Sequence, residues 1–325
     1  MMTVTPQLQV TNLSLFAPEP PSLAAQLQPR LAELAQQQIY LGTSSWKYEG
    51  WLGSVYSPDR YLTRGKVSKK KFDDECLAEY AETFPVVCGD FSFYQFPSQA
   101  YWQRLFTSTP PSLRFAFKVP EEITVETWPR HERYGARGGS PNETFLSAHV
   151  FTQLFAQALQ PYRGRVATLI FEFGAFAKLR REEFQERLRR FLQALPPDFR
   201  YAVEVRNPEF LGSDYFGLLG EQRVAHVFNS WTRMPDLSTQ IRLPGAYSTD
   251  FTVVRALLKP GRPYEQAVEK FSPYERVQEP YPEGRAALRE IIQHARREQR
   301  PSYIFVNNRF EGNAPGTMLA VTEPA

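Results

Sequence analysis

Eight short runs rich in Val, Ile, Phe or Tyr recur along the chain, and helical patterns fall between many of them. The runs lie at 39–44, 86–91, 113–119, 167–173, 201–206, 224–228, 251–256 and 302–307. The helical patterns lie at 72–84, 99–107, 143–159, 181–194, 214–220 and 283–298. Strand–helix alternation of this kind predicts a parallel sheet with helices outside it. Eight strands predict an α/β fold of the closed (β/α)8, TIM-like type rather than an open sheet. The run at 224–228 is the weakest, so a seven-strand count or one irregular unit is the alternative.

Residues 1–37 are rich in Pro and Gln and read as an N-terminal extension, with 38–325 as a single barrel domain. Leu and Ala recur at helical spacing over 22–38, interrupted by Pro29. The first twenty residues are expected to be mobile.

The phase of the strands matters more than their number. Side chains alternate between the two faces of a strand. In Tyr201-Ala-Val-Glu-Val-Arg206, that alternation puts Tyr201, Val203 and Val205 on one face and Ala202, Glu204 and Arg206 on the other. An apolar back suits outer helices, and a small-then-charged front suits a barrel axis. Lys118 shares a face with Ala116, and Glu172 shares a face with Thr168 and Ile170. Three strands thus repeat one pattern, with charge at the C-terminal end where such barrels place their chemistry. Reading the other strands to their ends adds Trp46, Asp90, Tyr94, Asn229, Arg255, Asn307 and Asn308.

Clustered Lys, Arg and carboxylates shift one another's proton affinities. A Glu beside Lys and Arg stays ionised, and two carboxylates can divide acid and base roles, as in glycoside hydrolysis. Glu204 and Glu172 are therefore the candidate catalytic residues. Arg206, Lys118, Arg255, Asp90, Tyr94, Trp46, Asn307 and Asn308 are the candidate ligand-binding residues. The competing reading is a charge-balanced network that only closes the barrel.

Three connections after strands are long: 47–71, 120–142 and 257–282. They bring Tyr48, Trp51, Tyr56 and Tyr61, then Trp128, His131, Arg133, Tyr134 and Arg137, then Lys259, Arg262, Tyr264, Tyr274 and Arg276 over one end of the barrel. Aromatic and basic side chains there suit a small polar or anionic ligand: a sugar, a sugar phosphate or a nucleotide.

Several classes lose support. The chain has 38 Lys and Arg against 35 Asp and Glu, a net charge of +3, too small an excess to imply nucleic acid by itself. The Arg-rich run 178–190 reads as a solvated helix face with Glu186 paired to Arg190. Nucleic acid is thus the weaker partner reading. The four histidines, His131, His149, His226 and His294, are scattered, so no His-rich metal site is expected, although Mg²⁺ held by carboxylates stays open. His226 lies out of phase with Asn229 and reads as core or helix-facing. No GxGxxG, Walker A or GxSxG occurs, and no cofactor is expected. Cys76 and Cys88 lack CxxC spacing, and neither a signal peptide nor an apolar run of about 18 residues is evident. A cytoplasmic location without membrane attachment is the expectation.

Gly42-Thr-Ser-Ser-Trp46 with Trp51, then Phe93-Tyr94, Phe115-Ala-Phe117-Lys118, Val203-Glu204-Val205-Arg206 and Asn307-Asn308, resemble the YecE-like family. That is the domain of unknown function numbered seventy-two. The resemblance runs from about Ile39 to about Thr317 and implies a TIM barrel, with no established activity. Against the family's usual pattern, Cys88 stands for Glu, Asp90 for Asn and Glu172 for Gln. Arg255-Ala-Leu257-Leu258 stands for Arg-x-His-Gly. Two function classes follow: an enzyme with hydrolase or lyase chemistry and Glu204 as base, or a binding protein without turnover.

Overall fold

The computed structural model describes residues 21–323. All eight expected runs form strands: β1 Ile39–Thr43, β2 Val86–Gly89, β3 Arg114–Lys118, β4 Val166–Phe173, β5 Tyr201–Val205, β6 Ala225–Asn229, β7 Thr252–Ala256 and β8 Ser302–Val306. Each pairs in parallel with its sequence neighbours, and β8 pairs with β1 to close the barrel. The run with the weakest signal, β6, pairs with both β5 and β7, so the count is eight.

The period-2 alternation sorts the side chains as the sequence predicts. Phe115, Phe117, Phe171, Phe173, Val203 and Val205 face outward and are buried under helices. Inside the barrel, Val86, Cys88, Ala116, Ile170, Ala202 and Val253 form a separate apolar plug with Tyr303 and Phe305. Each of its fully buried Val, Ile and Phe side chains contributes about 1.5–3 kcal/mol relative to exposure. The plug fills the lower layers, so the charged residues can collect only in the top layer, at the strand C-termini.

Helix ends follow local capping. The helix expected from 72 begins at Lys69, because the Ser68 hydroxyl accepts from Lys71 N–H at 3.3 Å. The one expected from 143 begins at Ala148, where Ser147 caps Val150. A π turn, Thr152–Ala156, lies within it. Helix Gln99–Thr107 has the expected bounds, and Arg181–Gln193, Ser213–Glu221 and Pro282–Arg297 match to within a residue at each end. A further helix, Ala314–Thr322, was not legible in advance; Asn313 caps it, with Pro315 in its first turn.

The extension is helical over Leu23–Gln36, capped by Ser22, and buries Leu27, Leu31 and Leu34 against the barrel. Pro29 lies inside this helix without ending it. One missing N–H is outweighed by the buried leucine face. The expectation for the first twenty residues lies outside the described residues.

The long connections carry structure of their own. Residues 47–71 contain two 3-10 turns and a two-residue-per-strand hairpin, Leu62–Thr63 with Lys66–Val67. Residues 257–282 contain helix Tyr264–Phe271. The two connections touch through Tyr48 and Tyr274, whose rings lie 5.6 Å apart. On helix Arg181–Gln193, Arg187 pairs with Glu183 and Arg190 with Glu186. Among the described residues, no helix is long and apolar enough to cross a membrane.

Candidate functional site

Strand register sets the site. Glu172 on β4 and Glu204 on β5 are direct neighbours, so two carboxylates lie side by side. Like charges so placed repel strongly in a dry interior. Arg255, delivered by β7 from across the barrel, answers both: its Nη1 donates to Glu172 Oε2 and to Glu204 Oε2, each at 2.5 Å. Arg206 Nη2 lies 2.9 Å from Glu172 Oε1, and Arg206 Nε lies 3.3 Å from Glu204 Oε1. Lys118 Nζ lies 3.0 Å from Glu172 Oε2. Asp90 is held loosely, 3.5 Å from Arg255 Nη2 and 4.0 Å from Lys118 Nζ.

The electrostatics follow from these contacts. Burial by itself raises the Glu172 pKa, but Arg206, Lys118 and Arg255 outweigh it and hold the carboxyl well below the usual carboxylate range. Burial opposes the charge on Arg255, but Glu204, Glu172 and Asp90 overcome it and keep the guanidinium protonated more firmly than in water. Burial pushes up the thiol of Cys88, which lies one layer below Asp90, and leaves it a poor nucleophile.

A cavity of about 600 Å³ opens above this cluster. Lys118, Glu172, Arg206, Arg255, Asp90 and Asn307 line its floor, and Tyr94 stands at the rim with 57% of its surface exposed. Seven of the ten candidate catalytic and ligand-binding residues therefore meet around one space, and Tyr48, His131, Arg133, Tyr134 and Tyr264 from the long connections join them. Three of the ten do not line it. Glu204 is wholly buried beneath its arginine partners, so the carboxylate read from the sequence as a base does not itself line the cavity. Trp46 is buried beside Phe91, with its carbonyl accepting from Tyr56 O–H at 2.5 Å. Asn308 turns away, and its Oδ1 accepts from Ala314 N–H at 2.8 Å, which seats the last helix. Glu172 does line the cavity, but a carboxylate held so firmly ionised is a weak base. Asp90, with a third of its side chain exposed, is the acid that faces the cavity most openly.

Besides Pro129, two lining residues with aromatic or charged side chains escaped the sequence reading. Trp231 follows β6 by two residues, and the Arg206 guanidinium stacks 3.7 Å over its ring. Arg309 follows Asn307-Asn308. The Asn307 Oδ1 accepts from Arg309 N–H at 2.9 Å and fixes the turn that delivers it. The signal for both was their place just past a strand end, where no periodicity operates. His226 faces outward, as expected, buried against Tyr215 and Phe216. Burial lowers its pKa to about 3, so it is neutral.

A closed eight-stranded parallel barrel with a charged cavity at its strand C-termini defines a TIM-like α/β barrel protein. Residues 40–324 match the family model described as "Protein of unknown function DUF72", and the chain belongs to that family. The curated protein YecE of Escherichia coli K12 is 25% identical over 172 residues, a stretch that spans 53% of this chain and 50% of YecE. The chain thus spans about half the length of the curated relative it matches. A DUF72 family protein from Thermotoga maritima superposes with a TM-score of 0.57 at 20% identity, covering 87% of this chain and 97% of that one. Another from Enterococcus faecalis gives 0.58 at 15% identity, covering 88% and 96%. These two likenesses concern the fold.

Proposed function

We propose that the cavity at the strand C-termini binds a small anionic ligand, with Arg309 as its direct anchor. One observation carries this reading. Arg309 has no carboxylate within ion-pair distance among the described residues, and its buried Nε has no hydrogen-bond partner there. Burying a charged donor unpaired is costly, so the position makes physical sense when an anion completes it. The lining as a whole agrees: five Lys and Arg side chains face two carboxylates. Lys118, Arg206 and Arg255 are ion-paired to Glu172 and Glu204, so their charge is already answered, and they contribute chiefly field even though the Arg255 Nε has no partner among the described residues. Substitution of Arg309 by Met tests the reading by titration calorimetry with inorganic phosphate, sulfate and small carboxylates. The affinity for the preferred anion falls at least about tenfold if the contact is charge-assisted. Unaltered anion affinity in the variant removes the proposal.

A second reading adds turnover. Asp90 is loosely held and open to the ligand space, which suits proton transfer to a bound substrate. In that case Asp90→Asn abolishes turnover and keeps anion binding, whereas a binding protein shows no turnover to lose.

A further inference from the structure

The cavity has two walls of the same construction on opposite sides of the barrel. On the side of β2 and β3, Lys118 Nζ lies 3.9 Å over the Phe93 ring. Phe93 meets Tyr94 at 5.4 Å, and the Arg133 guanidinium lies 4.8 Å over Tyr94. On the side of β5 to β8, Arg206 lies over Trp231, and Trp231 meets Tyr264 at 6.2 Å. The Arg309 guanidinium then lies 4.5 Å over Tyr264. Each wall runs from strand end to rim as cation, ring, ring, cation, and every member lines the one cavity. The two rim rings, Tyr94 and Tyr264, are among the few large apolar side chains left exposed, at 57% and 40%.

Alternating cations and aromatic faces match a ligand that alternates phosphate and flat ring. We infer that the ligand is a nucleoside monophosphate unit, an inference that rests on the anion site proposed above. Its phosphate meets Arg309, and its base stacks on a rim tyrosine. A sugar ring alone fits less well. Its hydroxyls need free donors and acceptors, yet both Glu172 oxygens, the Arg206 Nε and Nη2 and the Asn307 Oδ1 already spend theirs on one another or on the backbone. A base asks of the wall only a π face. The volume of about 600 Å³ falls within the range of small-ligand sites.

The test is titration calorimetry on the full chain with the four common nucleoside 5′-monophosphates, the nucleosides, ribose 5-phosphate and inorganic phosphate. The monophosphates are expected to bind at least about tenfold tighter than ribose 5-phosphate, the gain from one stacked base. The double variant Tyr94→Ala/Tyr264→Ala removes that gain, whereas Tyr94→Phe/Tyr264→Phe, which keeps both rings, retains it. Arg309→Met weakens monophosphates and ribose 5-phosphate alike. A 5′-phosphorylated trinucleotide distinguishes the two sources of the unit: tighter binding than the monomer marks a strand end, and equal or weaker binding marks a free nucleotide. Ribose 5-phosphate binding as tightly as the nucleotides leaves the anion site standing and overturns the nucleotide. Failure of every phosphate to bind overturns both.

Discussion

Arg255 Nη1 sits 2.5 Å from Glu172 and 2.5 Å from Glu204, so one guanidinium nitrogen joins two carboxylates that strand register forces together. Removing it leaves two buried like charges side by side with only Arg206 and Lys118 to answer them, and Glu204 with the longer Arg206 contact alone. Arg255→Met is expected to destabilise the protein by about 3–5 kcal/mol, the cost of breaking a buried pair from one side. Arg309→Met breaks no ion pair among the described residues; it removes a buried unpaired donor and a cation–π contact with Tyr264, two effects of opposite sign, and is expected to stay within about 1 kcal/mol of the parent. Urea denaturation of both variants checks the contrast. Equal losses would mean that Arg309 is as structural as Arg255.

Glu204→Gln separates architecture from chemistry. Glu204 is wholly buried and absent from the cavity lining. The substitution keeps volume but removes the charge that Arg255 and Arg206 answer. Stability is expected to fall by roughly 1–3 kcal/mol, with anion affinity within a factor of about three of the parent. Calorimetric titration beside denaturation decides it. A variant of parental stability whose turnover is lost would restore Glu204 as a base.

Acid stability has a predictable origin in Glu172. Its folded-state pKa is held below the unfolded value, so the unfolded chain takes up protons more readily as the pH falls. The stabilisation is therefore present above the unfolded carboxyl value, about 4.3, and is lost progressively below it. Glu172→Gln should flatten the dependence of the urea midpoint on pH below about 4.3. A slope identical to the parent in that window would contradict the assignment.

His226 acts in a higher window. Burial lowers its pKa to about 3, whereas an unfolded His titrates near 6.5. The unfolded chain again binds the extra proton first, so stability declines as pH falls from about 6.5 toward 3. The imidazole is expected to remain neutral at pH 5, which its ring-proton chemical shift reports directly. A midpoint near 6.5 in the folded protein would refute the buried-neutral state.

Arg206 is both ion-paired to Glu172 and stacked on Trp231. Lys cannot do both, because it lacks the planar fork. Arg206→Lys is expected to cost about 1–3 kcal/mol and to alter Trp fluorescence, with the stacking share near 2 kcal/mol for a desolvated pair. An unchanged emission spectrum would argue that the stack is incidental.

Local pattern alone determined a good deal about this protein. Runs rich in Val, Ile, Phe or Tyr located all eight strands, and period-2 alternation put Lys118, Glu172, Glu204 and Arg206 on the inner face, because a strand has only two faces. Burial then assigns the apolar face to the helices. Depth and partnership were decided by closure of the barrel. Register between β4 and β5 set Glu172 beside Glu204, and the curvature of the closed sheet brought Arg255 across to cap them. That cap sealed Glu204 away from the cavity and left Asp90 open to it. Beyond the strand ends no period operates, so tertiary structure alone turned Trp46 and Asn308 into supports and brought Trp231 and Arg309 to the mouth. A side chain's face is a local property of the chain, whereas its partner depends on contacts between residues distant in sequence, which exist only once the barrel has closed.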